Sequence, residues 1–424
     1  MLRKCLLYIF ILSFLSGYAD NKKAKAPKQT PVRVLLKDAR AAIKNKRDQK
    51  NKEKAILDCL KRDNLSNEQK AELYFTAAAL EHSLNDQENL KAYLKQKYDT
   101  AAYYNTMYMA TRYSLLCDSV DTLPNHAGKI KARYRNKNRD QVMLYRYNLY
   151  QGGRFFYKKN DFNKVYDYMS LYTDLCGNSL VSSHPKVLND TLLASASYYT
   201  ALSAFHVSKY ENALMYIDMA ISMTDSIRAP FLQEYKVRCM KSLKREDKWL
   251  EELRYGVKMY PKHDYFYVNL CKYYEDNQLY DKCLALTDSM LEHVQDATIY
   301  WYSKSLMYLN KENWMESVKM ADVVLQREPE HINALYNKAV SYVNEAVDFT
   351  AKSTNDPQNP RWKKDREHLQ SLYRGAKEPS EMMRRLRPDA VNSWAPLLYR
   401  IYLNLNMGKE FSEIEQIIKE NRKN

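Results

Sequence analysis

Glycine is scarce in this chain, with 8 in 424 residues, and proline is only slightly commoner at 12. A turn-rich β-sandwich draws on both at its corners, because tight turns need residues that tolerate or pre-set unusual backbone angles. A phosphate-cradling loop needs glycine still more, since the backbone itself must approach the ligand. Neither G-x-G-x-x-G nor a Walker loop occurs, and G-x-S-x-G and H-E-x-x-H are absent too. None of the 7 cysteines forms a C-x-x-C pair, which argues against zinc. The 8 histidines are dispersed. Glu328 and His331 have the Glu-x-x-His spacing of di-iron bundles, but Pro329 sets them at a turn and no second copy exists. With no catalytic set, metal set or cofactor motif, the expectation is a non-enzymatic protein that needs no cofactor.

Long apolar runs are also lacking, apart from Cys5 to Leu15 (CLLYIFILSFL). That run is too short to cross a bilayer, which takes about 20 residues. It follows Arg3 and Lys4 and precedes Ser16-Gly17-Tyr18-Ala19, the form of a secretory signal peptide over residues 1–19. Cys5 lies inside the run and no cysteine follows Ser16 to Ala19, so a lipid anchor is not indicated. The expectation is export, to the periplasm or outside the cell, with no transmembrane segment left after cleavage. Residues 20–31, with Pro27 and Pro31 among lysines, read as a flexible basic leader.

Positive charge is in excess, at a formal +16. From Asp20 to Arg62 there are 15 Lys and Arg against 5 Asp and Glu, and a second basic run is Lys129 to Arg139 (KIKARYRNKNR). In an exported protein the counterparts of such runs are lipid headgroups, acidic glycans or acidic protein faces rather than nucleic acid. The plainest reading of both runs is solvated surface.

What is present is a period. Val237, Cys271, Ser305 and Ala339 stand 34 residues apart, and so do Trp249, Cys283 and Ser317. A period of about 34 belongs to an array of helix-turn-helix units. Helix-sized segments joined by short polar turns run from Val32 onward, and nothing alternates with period two, so no sheet is expected. Tyrosine, at 37 residues, suits such an array, because its ring fills the space between helices while its hydroxyl seeks a polar partner.

The unit from Ala194 to Ser226 is the clearest. Its first helix carries Tyr198, Ala201 and Phe205, a turn falls at Ser208-Lys209, and Ala213, Leu214, Ile217 and Ala220 mark its second helix. Later units place Trp249, Gly256 and Pro261, then Cys271 and Cys283, then Trp301, Ser305, Trp314, Ser317 and Pro329, in the same register. This resembles the tetratricopeptide repeat (TPR), in which small residues let two antiparallel helices approach closely. Upstream, Gly152-Gly153, Phe156 and Phe162 fit the template, with Cys176 to Pro185 as a longer connection. Trp249 departs from the pattern by replacing a small residue.

The resemblance implies an all-α, right-handed superhelical solenoid of antiparallel helix pairs. Residues 32–145 read as degenerate repeats, with Ala71 to Leu94 and Ala101 to Ser119 each a helix pair. TPR-like repeats cover 146–344. In 345–424 an insertion around Asn355-Asp356-Pro357 displaces one helix, and Trp394 to Ile418 caps the stack.

In that family the first helix of each pair lines a concave groove. Carried onto this chain, the groove holds Tyr150, Arg154, Tyr198, Arg238, Lys272, Tyr302 and Tyr336. Tyr150 and Arg154 stand where a clamp for a C-terminal carboxylate would need Lys and Asn, so that clamp is not implied. The expected partner is a protein or peptide segment, with acidic character as one option, and the protein would act as an exported scaffold. The alternative is a glycan-binding protein of a nutrient-uptake system, although the chain has only 5 Trp and no lipid-anchor cysteine. Cys271 and Cys283 face each other across one pair. They read either as a disulfide or, preferably, as small apolar fillers.

Overall fold

The computed structural model describes residues 30–422 apart from 126, 224, 226, 295 and 296. The signal-peptide reading of 1–19 and most of the leader lie outside the described residues. Among the described residues there is no strand, and the α-helices in chain order are α1 (Val32–Asn45), α2 (Gln49–Leu60), α3 (Asn67–Tyr93), α4 (Thr100–Asp121), α5 (Arg135–Tyr157), α6 (Phe162–Asp174), α7 (Pro185–Leu188), α8 (Leu193–His206), α9 (Tyr210–Met223), α10 (Ala229–Ser242), α11 (Glu246–Met259), α12 (Asp264–Asp276), α13 (Tyr280–His293), α14 (Thr298–Asn310), α15 (Trp314–Arg327), α16 (Ile332–Thr350), α17 (Trp362–Leu386), α18 (Val391–Asn404) and α19 (Gly408–Asn421). The all-α expectation of TPR-like helix pairs therefore holds. None of these helices is long and apolar enough to cross a membrane. Two compact units divide the chain: Met1–Asn160 with Asp174–Asp190, and Asp161–Thr173 with Thr191–Asn424.

The first unit corrects the helix count. Ala71 to Leu94 and Ala101 to Ser119 are not helix pairs. Each lies within a single long helix, and α3 and α4 pair with one another. Neither stretch contains a proline or a turn signal that would break it. The ends are instead set by caps: Ser66 and Gln69 form a reciprocal capping box, and Asp99 accepts from the amides of Ala101 and Ala102. The long connection after α6 is tied back by a buried ion pair, Arg146 to Asp190 at 2.5 Å. Between α2 and α3, Lys50 reaches both Glu53 and the fully buried Glu81, while the Tyr113 hydroxyl donates to Glu53 at 2.8 Å.

In the second unit each helix from α8 to α19 packs on the next, and first helices also touch the first helix of the following pair in α8–α10, α14–α16 and α16–α18. The turn inside every pair except α16–α17 has one solution. Ser208, Lys244, Gln278, Glu312 and Asn406 all adopt left-handed φ between 56° and 60°. The next amide reaches back five residues, as in Lys209 N to Ala204 O and Leu279 N to Tyr274 O, closing the orphan carbonyls of the first helix. Glycine usually fills this position, so its scarcity here means polar side chains bear the left-handed cost.

Within each pair, close approach falls on the small residues of the 34-residue register. Ala201 and Ala213 are fully buried. The Ser305 hydroxyl donates to the Ser317 carbonyl at 3.0 Å and the Ser317 hydroxyl donates to the Ser305 carbonyl at 2.9 Å, a geometry open only to helices in near contact. Trp249 is accommodated: it is buried, meets Tyr273 edge-on at 5.8 Å, and carries Lys241 over its ring. The insertion at 351–361 precedes the 25-residue α17, and α18 and α19 follow as the closing pair.

Two outcomes follow. A Cβ on Gly256 would lie 2.3 to 2.7 Å from the Phe266 ring. Gly256→Ala should therefore cost about 1–3 kcal/mol, the usual penalty of overpacking, and calorimetry should show Tm lower by several degrees. Burial first, then the Glu53 carboxylate, push Glu81 up from its usual 4.5 to about 8. A raised carboxyl contributes stability that is complete below pH 4.5 and lost as pH rises towards 8. Across pH 5 to 8, the Glu81→Gln variant should gain thermal stability relative to wild type, and parallel melting curves would refute this.

Candidate partner-binding groove

The groove residues implied by the repeat register fall in both units. Tyr150 and Arg154 belong to the first unit, where Tyr150 is only 6% exposed and Arg154 points to solvent. Tyr150 thus packs as core, because the step before Gly153 on the 23-residue α5 falls on its buried face. The other five lie on first helices of the second unit: Tyr198 on α8, Arg238 on α10, Lys272 on α12, Tyr302 on α14 and Tyr336 on α16. Tyr198 is half-buried, with the Arg228 guanidinium 5.8 Å from its ring centre, and Tyr336 is exposed.

Lys272 and Tyr302 converge on a cleft of about 460 Å³ between α12, α14 and the start of α16. Val268, Ile299, Leu306 and Met307 make its apolar wall, and Lys272, Glu275, Glu328, His331 and Asn333 its polar rim. Val268 and Leu306 also stand in the groove register, one helix period apart from Lys272 and Tyr302, so the convergence is a product of that register. Glu275 and Asn333 have no counterpart in the repeat pattern, and that pattern did not select them.

His331 is positioned by the backbone. It caps α16, its Nδ1 accepting the Ala334 amide at 3.1 Å, and its ring lies 5.2 Å from that of Tyr302. With Nδ1 engaged as an acceptor, the neutral ring carries its proton on Nε2. Burial first, then the Glu275 charge, raise Tyr302 above the usual phenol range, so its hydroxyl stays protonated and able to donate.

The basic row is largely neutralised within the protein. Lys272 pairs with Asp276 at 2.7 Å and Glu275 at 3.4 Å, and these two carboxylates raise its pKa. Arg238 pairs with Glu234, which also meets His263 Nε2 at 2.8 Å, and the guanidinium lies 5.1 Å from the Tyr265 ring centre. Side chains of the types used by cysteine nucleophiles, Cys271, His331 and Asn333, share the cleft. No Cys271–His331 hydrogen bond occurs among the described residues, and the His331 nitrogen that could act as a base is taken by Ala334.

Cys271 and Cys283 are free, buried thiols in this structure. A hydrogen bond from Cys283 lowers the pKa of Cys271, and the same contact together with burial raises that of Cys283. Cys271 lines the cleft, whereas Cys283 is fully buried, so Cys271 is the more accessible thiol of the pair. One repeat later the same slots hold Ser305 and Ser317.

No protein-family model and no curated protein sequence matches this chain. Among solved structures, several match this chain in part. The C-terminal part of a TPR repeat-containing protein from Cytophaga hutchinsonii is 10% identical, with a TM-score of 0.43, covering 62% of this chain and 91% of that one. A tetratricopeptide repeat protein from Parabacteroides merdae is 14% identical, with a TM-score of 0.35, covering 65% and 98%. Yeast Tom70 is 10% identical, with a TM-score of 0.26, covering 92% and 96%.

Because serine already serves at these slots, the Cys271→Ser/Cys283→Ser variant should fold with a Tm within a few degrees of wild type. In the native protein, mass spectrometry should find Cys271 alkylated by iodoacetamide well before Cys283. Faster labelling of Cys283, or a non-reduced peptide joining the two, would overturn the thiol assignment in favour of the disulfide.

Proposed function

We propose that the second unit is a non-enzymatic docking module that scaffolds a partner by holding an extended protein segment in the cleft between α12, α14 and α16. The observation that carries this reading is the meeting of two register rows, Val268 and Tyr302 with Lys272 and Leu306, in one cleft. An apolar side chain of the segment would seat against Val268, Ile299 and Leu306. Its backbone would meet donors at His331 Nε2 and the Tyr302 hydroxyl, and acceptors at Glu275 and Glu328. Tyrosine is a frequent anchor in such interfaces because its rigid ring loses little entropy on binding.

An acidic segment, the option raised by the basic row, would have to displace Asp276 from Lys272 and Glu234 from Arg238. The proposed segment is therefore apolar and close to neutral where it enters the cleft. The signal-like form of residues 1–19 supports an exported setting, in the periplasm or outside the cell. For the glycan alternative, none of the 5 Trp is exposed, so none presents the open ring face that stacks on a sugar.

The test is site-specific photo-crosslinking of the full chain in its native cells, with the photoreactive residue at position 302 and, as a control, at Lys282 on α13. A protein adduct formed from 302 but not from 282 is expected. Val268→Asp, at an exposed wall position, should reduce adduct yield about tenfold or more without lowering Tm. Adducts from 282 alone would place the partner elsewhere. Absence of any adduct, with binding on a glycan array, would favour the glycan reading.

A further inference from the structure

The end of the α3–α4 hairpin in the first unit presents large apolar side chains to water. Within nine residues, Leu90 is 51% exposed, Tyr93 83%, Leu94 52% and Tyr98 38%. Exposed apolar groups clustered this densely mark an interaction surface. An aromatic chain continues from them: Tyr98 to Tyr103 at 5.9 Å between ring centres, Tyr103 to Tyr104 at 5.4 Å, and Tyr104 to Phe155 of α5 at 5.5 Å.

The surrounding charge is of one sign. From Asn89 to Tyr98 there is no acidic residue, while Lys91, Lys95 and Lys97 are present. The two nearest flanking acids, Glu88 and Asp99, are engaged internally. Glu88 binds Lys91 at 2.5 Å and accepts the Asp99 amide at 3.0 Å, and Asp99 caps α4. Lys159 lies 4.3 Å from the centre of the Phe155 ring. Lys95 and Lys97 take part in no ion pair among the described residues, and Arg154 stands one residue before Phe155, at a solvent-exposed position.

The tip is also held in shape. Lys95 takes left-handed φ of 56°, and Gln96 N returns to Lys91 O at 2.9 Å, closing the end of α3. Tyr93 and Leu94 are thus displayed by a formed helix end, so seating them in a bilayer interface costs little further ordering.

We propose that this tip is a docking surface for an anionic phospholipid membrane. Tyrosine suits the headgroup layer, where the ring body is in apolar surroundings and the hydroxyl stays wet. Leu90 and Leu94 would enter the acyl boundary, and Lys95 and Lys97 would neutralise lipid phosphates. Leucine distinguishes this surface from one built for single-stranded nucleic acid, where stacking on rings supplies the apolar contact. The proposal does not depend on the cleft of the second unit.

The test is co-sedimentation of the full chain with vesicles of phosphatidylcholine alone or with one quarter phosphatidylglycerol. Binding to the anionic vesicles, weakened by salt and slight on the neutral ones, is expected. Lys95→Glu/Lys97→Glu and Tyr93→Asp/Leu94→Asp should each weaken it about tenfold or more, with unchanged melting curves since all four sites are exposed. Val268→Asp, in the cleft, should bind vesicles as wild type does. A Tyr93→Trp variant should gain a blue-shifted emission component on adding anionic vesicles. Failure of wild type to sediment, equal sedimentation of the tip variants, or retention only on an RNA homopolymer or a protein partner would overturn the proposal.

Discussion

The close approach of two antiparallel helices at a pair of small residues is the contact on which the second unit depends. Ser305 and Ser317 show it most directly, since each hydroxyl reaches the other helix's backbone. Gly256 shows the same constraint from outside a pair, where the Phe266 ring occupies the space its side chain would need. Two helices this close have little freedom to slide, so the position of every other side chain along them is set. Interiors packed at crystal-like density transmit such constraints instead of absorbing them. The rows that reach the cleft are aligned because the small slots are.

The turn then keeps the alignment from one pair to the next. Lys244, Gln278 and Glu312 all take the same left-handed conformation, 34 residues apart. A turn with one conformation has one length, and a fixed length preserves register. Where the chain departs from that length, at residues 175–190 and 351–361, other devices appear. The first connection is held by the buried Arg146–Asp190 pair, and the second precedes a longer helix whose Gly375 passes within contact of Tyr342. Unpairing Arg146 would leave a buried charge unmatched, which ties this connection firmly to its unit.

The sequence shows helix pairing where the small residues recur at fixed spacing, because that spacing is itself the packing constraint. Ala201 with Ala213 and Ser305 with Ser317 are read correctly for this reason. Upstream of residue 140 the same logic misplaces helix ends. There α3 and α4 run through without small-residue slots, and their limits come from single caps at Ser66 and Asp99, which weigh little in a repeat pattern. The groove residues divide along the same line. Lys272 and Tyr302 lie in the regular register and meet in the cleft. Tyr150 lies on a longer helix and is buried. Glu275 and Asn333 stand outside the register, so only the folded arrangement reveals them.

Charge was the least legible property, because a count of cations does not show which are already matched. In the cleft, Lys272 holds two carboxylates on its own helix, spaced three and four residues on, where one helical turn brings side chains together. Arg238 holds Glu234 at the same spacing. A ligand carboxylate would have to compete with partners that lose almost no freedom by staying in place, so the segment proposed for the cleft would be selected by shape and apolar contact rather than by net charge. At the α3–α4 tip the order is reversed. Glu88 is matched by Lys91 and Asp99 serves a cap, while Lys95 and Lys97 take part in no ion pair among the described residues. Positive charge matched within a helix supports structure, whereas positive charge beside exposed apolar surface is available to a partner. The formal +16 of the chain describes neither case alone.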